Sequence, residues 1–104
     1  MASTEVKSCT LVRNGLSLFP DAPTPRGRRH LLALAHARLQ GMRAAVVFVV
    51  QRSDAAPFCP HDVADPAFGE TLRQVRAEGV EVLAYRCNVS TAEITLGDRL
   101  PLAF

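Results

Sequence analysis

An α/β fold, with a mixed sheet that is parallel at its centre and two main helices, is predicted by three features of this 104-residue chain. Ala44-Ala45-Val46-Val47-Phe48-Val49-Val50 is apolar at every position, as a central strand covered on both faces would be. Two segments open with a capping residue followed by proline, Thr24-Pro25 and Asp65-Pro66, and each runs in helical period to a glycine. The resulting order, strand–helix–strand–helix–strand, favours right-handed crossovers and parallel neighbours in the middle of the sheet.

The elements follow in order. Thr4 to Val12 is rich in β-branched residues and reads as the first strand. Asn14-Gly15 is a turn signal, and Leu16-Ser17-Leu18-Phe19 alternates like a short second strand. Pro20, Pro23 and Pro25 stiffen the connector into the first helix. Thr24 is its candidate N-cap, Leu31, Leu34, Ala35 and Leu39 its apolar stripe, and Gly41 its stop. After the Ala44–Val50 strand the chain turns polar at Gln51-Arg52-Ser53-Asp54, and a proline-containing loop runs to Asp65-Pro66. In the second helix Phe68, Leu72 and Val75 share a face, Arg73 and Arg76 suit the negative end, and Gly79 ends it. Val80 to Val89 is a third strong strand, Ser90-Thr91 a turn, Glu93 to Leu96 a short strand, and Leu100 to Phe104 a trailing end.

Composition bounds the class. A hydrophobic content of 48% argues for a folded core and against disorder, and the length predicts a single domain over residues 1–104. The longest apolar run is strand-sized, so no membrane span is expected. No signal peptide is evident, and the three cysteines, Cys9, Cys59 and Cys87, contain no Cys-x-x-Cys pair. Both observations point to free thiols in the cytoplasm. The net charge of +2 permits an anionic partner without requiring one.

Lys7 is the only lysine, since eleven of the twelve basic residues are arginine. It follows Glu5 by two positions, so the two side chains share one strand face about 7 Å apart at the backbone. A carboxylate beside an ammonium on a strand suits metal-dependent phosphodiester chemistry: the acid holds Mg²⁺ and the lysine steadies developing charge. The plain alternative is an exposed ion pair, worth little. A second anomaly lies at the first helix, whose start carries Arg26, Arg28, Arg29 and His30 where the backbone already presents positive charge. Guanidinium groups beside unpaired helix N–H donors make a phosphate site; otherwise they fan into water or pair with Asp21 or Glu5. Gln51, Arg52 and Asp54 follow the central strand at its carboxyl end, outside which open α/β folds bind ligands, although a polar cluster is expected at any strand end. Cys59-Pro60-His61-Asp62 lacks the second ligand pair that zinc requires. There is no P-loop, dinucleotide fingerprint or nucleophile elbow, and with one Tyr and no Trp no base-stacking platform.

Glu5-Val6-Lys7-Ser8-Cys9-Thr10-Leu11-Val12, Leu18-Phe19-Pro20-Asp21-Ala22 through Arg26-Gly27-Arg28-Arg29-His30-Leu31, Phe48-Val49-Val50-Gln51-Arg52-Ser53-Asp54 and Gly79 to Arg86 together resemble the sugar fermentation stimulation protein family. The resemblance covers nearly the whole chain after Thr4 and implies a bacterial cytoplasmic protein, here its C-terminal part, with a partial restriction-endonuclease-like core. It further implies sequence-independent DNA binding and a regulatory role in sugar metabolism, notably of maltose. Glu5 and Lys7 would be the paired acid and lysine of the nuclease core, with Glu5 as metal ligand. The family's N-terminal OB-like domain, and the strands bearing a second metal-binding aspartate, have no counterpart in this sequence. The leading expectation is therefore a DNA-binding module using Arg26, Arg28, Arg29 and Arg52, with Gln51 and Asp54 supporting. The alternatives are a Mg²⁺-dependent nuclease, inactive in this truncated form, and a remnant with no activity of its own.

Overall fold

The computed structural model describes residues 2–89 and 94–104. Its element order is β1 (Ala2–Cys9), β2 (Leu11–Arg13), β3 (Leu16–Phe19), α1 (Pro25–Leu39), β4 (Arg43–Val50), β5 (Phe58–Pro60), α2 (Pro66–Ala77), β6 (Glu81–Val89) and β7 (Ile94–Arg99). The main sheet runs β1-β4-β6-β7, and β2-β3-β5 forms a smaller second sheet.

β4 lies inside the main sheet, parallel to β1 on one side and to β6 on the other, while β7 closes the far edge antiparallel. The expected α/β fold, with α2 joining β4 to β6, is what the chain adopts. The helices stop where expected, and Gly41 and Gly79, at φ of 83° and 104°, take the left-handed conformation that ends each one.

One face of the main sheet carries the core. Val46, Phe48, Val50 and Ala84 have no solvent exposure and pack with Leu31, Leu34, Phe68, Leu72 and Val75. Phe48 stacks on Phe58 with centroids 4.2 Å apart, and Phe19 wedges against Phe48 and Phe68. The opposite face departs from expectation. Ala45, Val47 and Val49 of β4 and Leu83 and Tyr85 of β6 are only half-buried, and Val6 of β1 is 65% exposed. The apolar run of β4 therefore faces a core on one side and an open sheet surface on the other.

Three other expectations change. The first strand is broken at Thr10: Cys9 ends β1 buried, and its thiol donates to the Leu18 carbonyl at 3.1 Å, while Leu11 starts β2 in the other sheet. Within the proline loop, Phe58–Pro60 forms β5, parallel to β3. The C-terminal end does not trail off. Leu102 bridges Phe58, and the Phe104 ring meets Phe58 at 6.1 Å and lies beneath the Arg76 guanidinium at 4.8 Å. Ser90-Thr91 and Glu93 lie outside the described residues.

Candidate functional site

Strand alternation puts Glu5 and Lys7 on the same side of β1 as buried Cys9, which is the side that α1 covers. There they meet the first turns of α1. Lys7 Nζ lies within hydrogen-bonding distance of His30 Nδ1, at 3.2 Å. Glu5 Oε2 stands 3.7 Å from the same His30 nitrogen. Burial lowers the Lys7 pKa below its ordinary value; the Glu5 carboxylate opposes that shift and the Arg26 guanidinium adds to it. Sequence patterning had noted His30 only as one of a basic crowd. Its bridging role becomes visible once α1 is laid across β1.

The start of α1 is fixed by small residues and hydrogen bonds. Thr24 caps it, its hydroxyl accepting from the Gly27 N–H at 3.0 Å, and Pro25 occupies the first turn. Gly27 is buried where the helices meet: a Cβ there would stand 2.9 Å from the Thr24 hydroxyl and 3.4 Å from the Phe68 ring. Asp65, 7% exposed, ties the two helix starts together. One carboxylate oxygen accepts from the Phe68 N–H of α2 at 3.0 Å, and the other from the Thr24 N–H at 2.8 Å. Its role as a cap was legible in Asp65-Pro66, whereas its reach to a residue 41 positions away was not.

No acidic residue lies in the first turn of α1. Arg26, Arg28 and Arg29 are exposed, and among the described residues none forms a salt bridge. Arg28 is nevertheless anchored, its Nε donating to the Thr71 hydroxyl of α2 at 2.9 Å. Asp21 and Glu5, the candidate partners in sequence, do not neutralise them; Glu5 turns to His30 instead.

Gln51, Arg52 and Asp54 form a separate group at the C-terminal end of β4. Arg52 is held by Asp54 through two bonds of 2.8 Å, and this guanidinium pulls the Asp54 pKa below its ordinary value. Gln51 Nε2 donates to the Ser8 hydroxyl at 3.2 Å, and Ser8 faces away from Glu5 and Lys7. Glu5, Lys7 and the arginine-rich helix start are thus one cluster, and the Gln51–Asp54 turn is another. His61 and Asp62 take structural partners, the Pro20 carbonyl and Arg73 respectively. The three cysteines are free. Burial pushes the Cys9 thiol up to about 11.

Residues 2–93 match the pattern of the sugar fermentation stimulation protein RE domain. The chain belongs to the sugar fermentation stimulation protein family. The family homolog of Moorella thermoacetica is 53% identical over 92 residues, covering 88% of this chain and 40% of that protein. That of Chloroflexus aurantiacus is 52% identical over 98 residues, covering 94% and 38%. The solved structure of Pyrococcus furiosus SfsA in complex with Ca²⁺ is 29% identical, with a TM-score of 0.89, over 97% of this chain and 44% of that one. This member thus spans less than half the length of the family relatives it matches.

The donor set can be compared with what a divalent cation asks. Mg²⁺ takes near-octahedral oxygen ligands, usually one or two carboxylates with waters and substrate phosphates. Here a single carboxylate, Glu5, stands beside an imidazole and an ammonium. Among the described residues no three His, Cys, Asp or Glu side chains converge. The residues present in this family member do not by themselves fit Mg²⁺. No helix among the described residues is long and apolar enough to cross a membrane.

Proposed function

We propose that this chain is a sequence-independent DNA-binding module acting in the bacterial cytoplasm, with a regulatory role in sugar metabolism, maltose in particular. One observation carries the binding reading. Arg43, Arg52, Arg73 and Arg86 each pair with an acid. Arg13, Arg38, Arg76 and Arg99 lack a carboxylate partner among the described residues, as do Arg26, Arg28 and Arg29, but only these last three crowd together, unpaired, at the positive start of a helix. Phosphate would supply the missing anion, meeting both the guanidinium groups and the positive end of the helix. The half-buried Lys7 ammonium adds charge beside them. Arg52, already neutralised by Asp54, contributes little beyond them. Membership of a family named for sugar fermentation stimulation supports the regulatory part of this reading.

Salt titration of duplex binding tests this reading. With about three or four phosphates neutralised, log affinity should fall against log salt with a slope of about −3. Arg26→Ala with Arg29→Ala should weaken binding to all sequences alike and flatten that slope by about two units. Unchanged binding in the double variant would reduce these arginines to a solvated helix end.

The nuclease alternative would use Glu5 as ligand to Mg²⁺ and Lys7 as the catalytic cation. Convergent acidic ligands are what such chemistry needs, and this cluster offers one carboxylate. We expect no plasmid nicking in Mg²⁺ or Mn²⁺. Nicking that disappears on Glu5→Ala would reverse the assignment.

A further inference from the structure

Arg28 differs from the other anchored arginines in what holds it. Arg43, Arg52, Arg73 and Arg86 are each gripped by a carboxylate through at least one terminal nitrogen, so their charge is spent within the chain. Arg28 is held at Nε, and by a neutral group, the Thr71 hydroxyl at 2.9 Å. The residue is exposed, and its Nη1 and Nη2 bond to nothing among the described residues. The guanidinium therefore keeps its full charge and the two parallel N–H bonds of its outer edge, while its stem is tied down.

The tie is built into the contact between the helices. Thr71 lies in the second turn of α2 and is 3% exposed. Valine would fill that position equally well, and a buried hydroxyl is unfavourable there unless it is hydrogen-bonded. Gly27 lets α1 come close, since a Cβ in its place would stand 3.4 Å from the Phe68 ring. Asp65 accepts from the Thr24 N–H and the Phe68 N–H, which fixes one helix start against the other. Arg28 is thus placed over α2. Arg26 lies about 200° away round the helix, on the flank where it acts on Lys7 of β1. The two arginines cannot close on one ion, so each serves a separate contact.

We propose that Thr71 is a positioning residue for DNA, holding Arg28 so that its Nη1 and Nη2 take both free oxygens of a single backbone phosphate. The proposal rests on the DNA-binding reading above and assigns one arginine a geometry within it. A planar fork matches a phosphate bidentately, which an ammonium cannot do. A long side chain ordered before binding also loses less entropy on contact than a free one. Arg26 and Arg29, without such a tie among the described residues, contribute charge; Arg28 contributes charge and direction.

Anisotropy titration of a short mixed-sequence duplex with the intact chain, at several salt concentrations, tests this. Thr71→Val removes the hydroxyl, keeps the shape and leaves every charge in place. Affinity should fall about fivefold, the cost of ordering one long side chain at an interface, with the wild-type salt slope retained. Arg28→Lys, which leaves the buried helix contact untouched, should do the same. Arg28→Ala should weaken binding further and flatten the slope by about one unit. Thr71→Ser should bind like wild type, and Thr71→Val should add nothing once Arg28→Ala is present. Urea midpoints taken alongside separate a mere helix tie, which would shift stability and leave the affinity of the folded chain alone. Wild-type affinity in Thr71→Val or Arg28→Lys overturns the proposal, as does a Thr71→Ser that fails to restore binding. If Arg28→Ala binds normally while Arg26→Ala with Arg29→Ala does not, the anchored contact is overturned and the DNA reading stands. A wild type that binds no duplex overturns both.

Discussion

The two helices of this chain begin with the same sequence grammar and end up with opposite electrostatics. α1 starts Thr24-Pro25 and α2 starts Asp65-Pro66, each cap accepting from the N–H three residues on. At α2 the cap is a buried carboxylate, so the positive helix end has its anion built in, and the same carboxylate also takes the Thr24 N–H. At α1 the cap is a neutral hydroxyl, and Arg26, Arg28 and Arg29 add positive charge to a helix end that is already positive. A helix start satisfied from within is scaffold. A helix start left unsatisfied, at some cost in stability, is the more informative place to look for a ligand.

The sharpest way to break this contrast is to open α2. Asp65→Ala removes two hydrogen bonds from a buried position and should cost about 2–3 kcal/mol, combining a lost cap with an unpaired N–H at Thr24. Asp65→Asn can still accept through one oxygen but must turn an N–H toward one of two donors, so it should fall between, at about 1–2 kcal/mol. Urea unfolding gives both values. Equal stability of Asp65→Ala and wild type would mean that α2 does not depend on its internal anion.

Thr24→Ala should cost about 1 kcal/mol, the usual loss for a hydroxyl cap. Gly27→Ala should approach the same loss by another route, because its Cβ would crowd the Thr24 hydroxyl away from the helix N–H. If the two changes are combined, the losses should not add, since both remove the one hydrogen bond. Full additivity in denaturation midpoints would show that Gly27 is needed for its contact with Phe68 instead.

How much of this was readable in the chain differs by region, and the reasons are physical. Both helices could be bounded to within a residue or two because capping, proline and glycine are local signals. β4 was legible as a central strand from its apolar run, but its open face was not, because coverage depends on what packs against the sheet and not on the strand itself. β5 was missed: three residues including Pro60 carry no period, and pairing with β3 alone makes them a strand. In the candidate site, Glu5, Lys7 and the arginines could be named from type and spacing. His30 between Glu5 and Lys7, Thr71 behind Arg28, and Asp65 beneath Thr24 are contacts between distant segments, which no local pattern encodes.

A smaller test converts α1 into a likeness of α2. Thr24→Asp places a carboxylate where the three arginines can reach it. Stability should change by only about 0.5 kcal/mol, since the favourable helix-end charge is opposed by nearby Asp65. DNA binding should weaken and its salt slope should flatten by about one unit, the equivalent of one phosphate contact replaced from within. A slope identical to wild type would place the binding surface elsewhere.

The finest measurement uses the single lysine. Lys7 is half-buried, and burial outweighs the Glu5 carboxylate, so its ammonium should lose its proton below the ordinary value of 10.5. Because the folded pKa is the lower one, the charged form is the disfavoured one in the native state. Stability should therefore rise as pH climbs through the folded pKa toward 10.5, and the effect is absent at neutral pH. Acylation rate against pH, followed at the Lys7 peptide by mass spectrometry, reads the midpoint directly and separates it from the α-amine. Glu5→Gln should move the midpoint further down, by removing the one influence that raises it. Arg26→Ala should move it back up, by removing a neighbouring cation. Opposite responses to these two substitutions would locate Lys7 between the acid of its own strand and the arginine-rich start of α1. A midpoint at or above 10.5 would mean that Lys7 titrates in open solvent and is no part of the cluster.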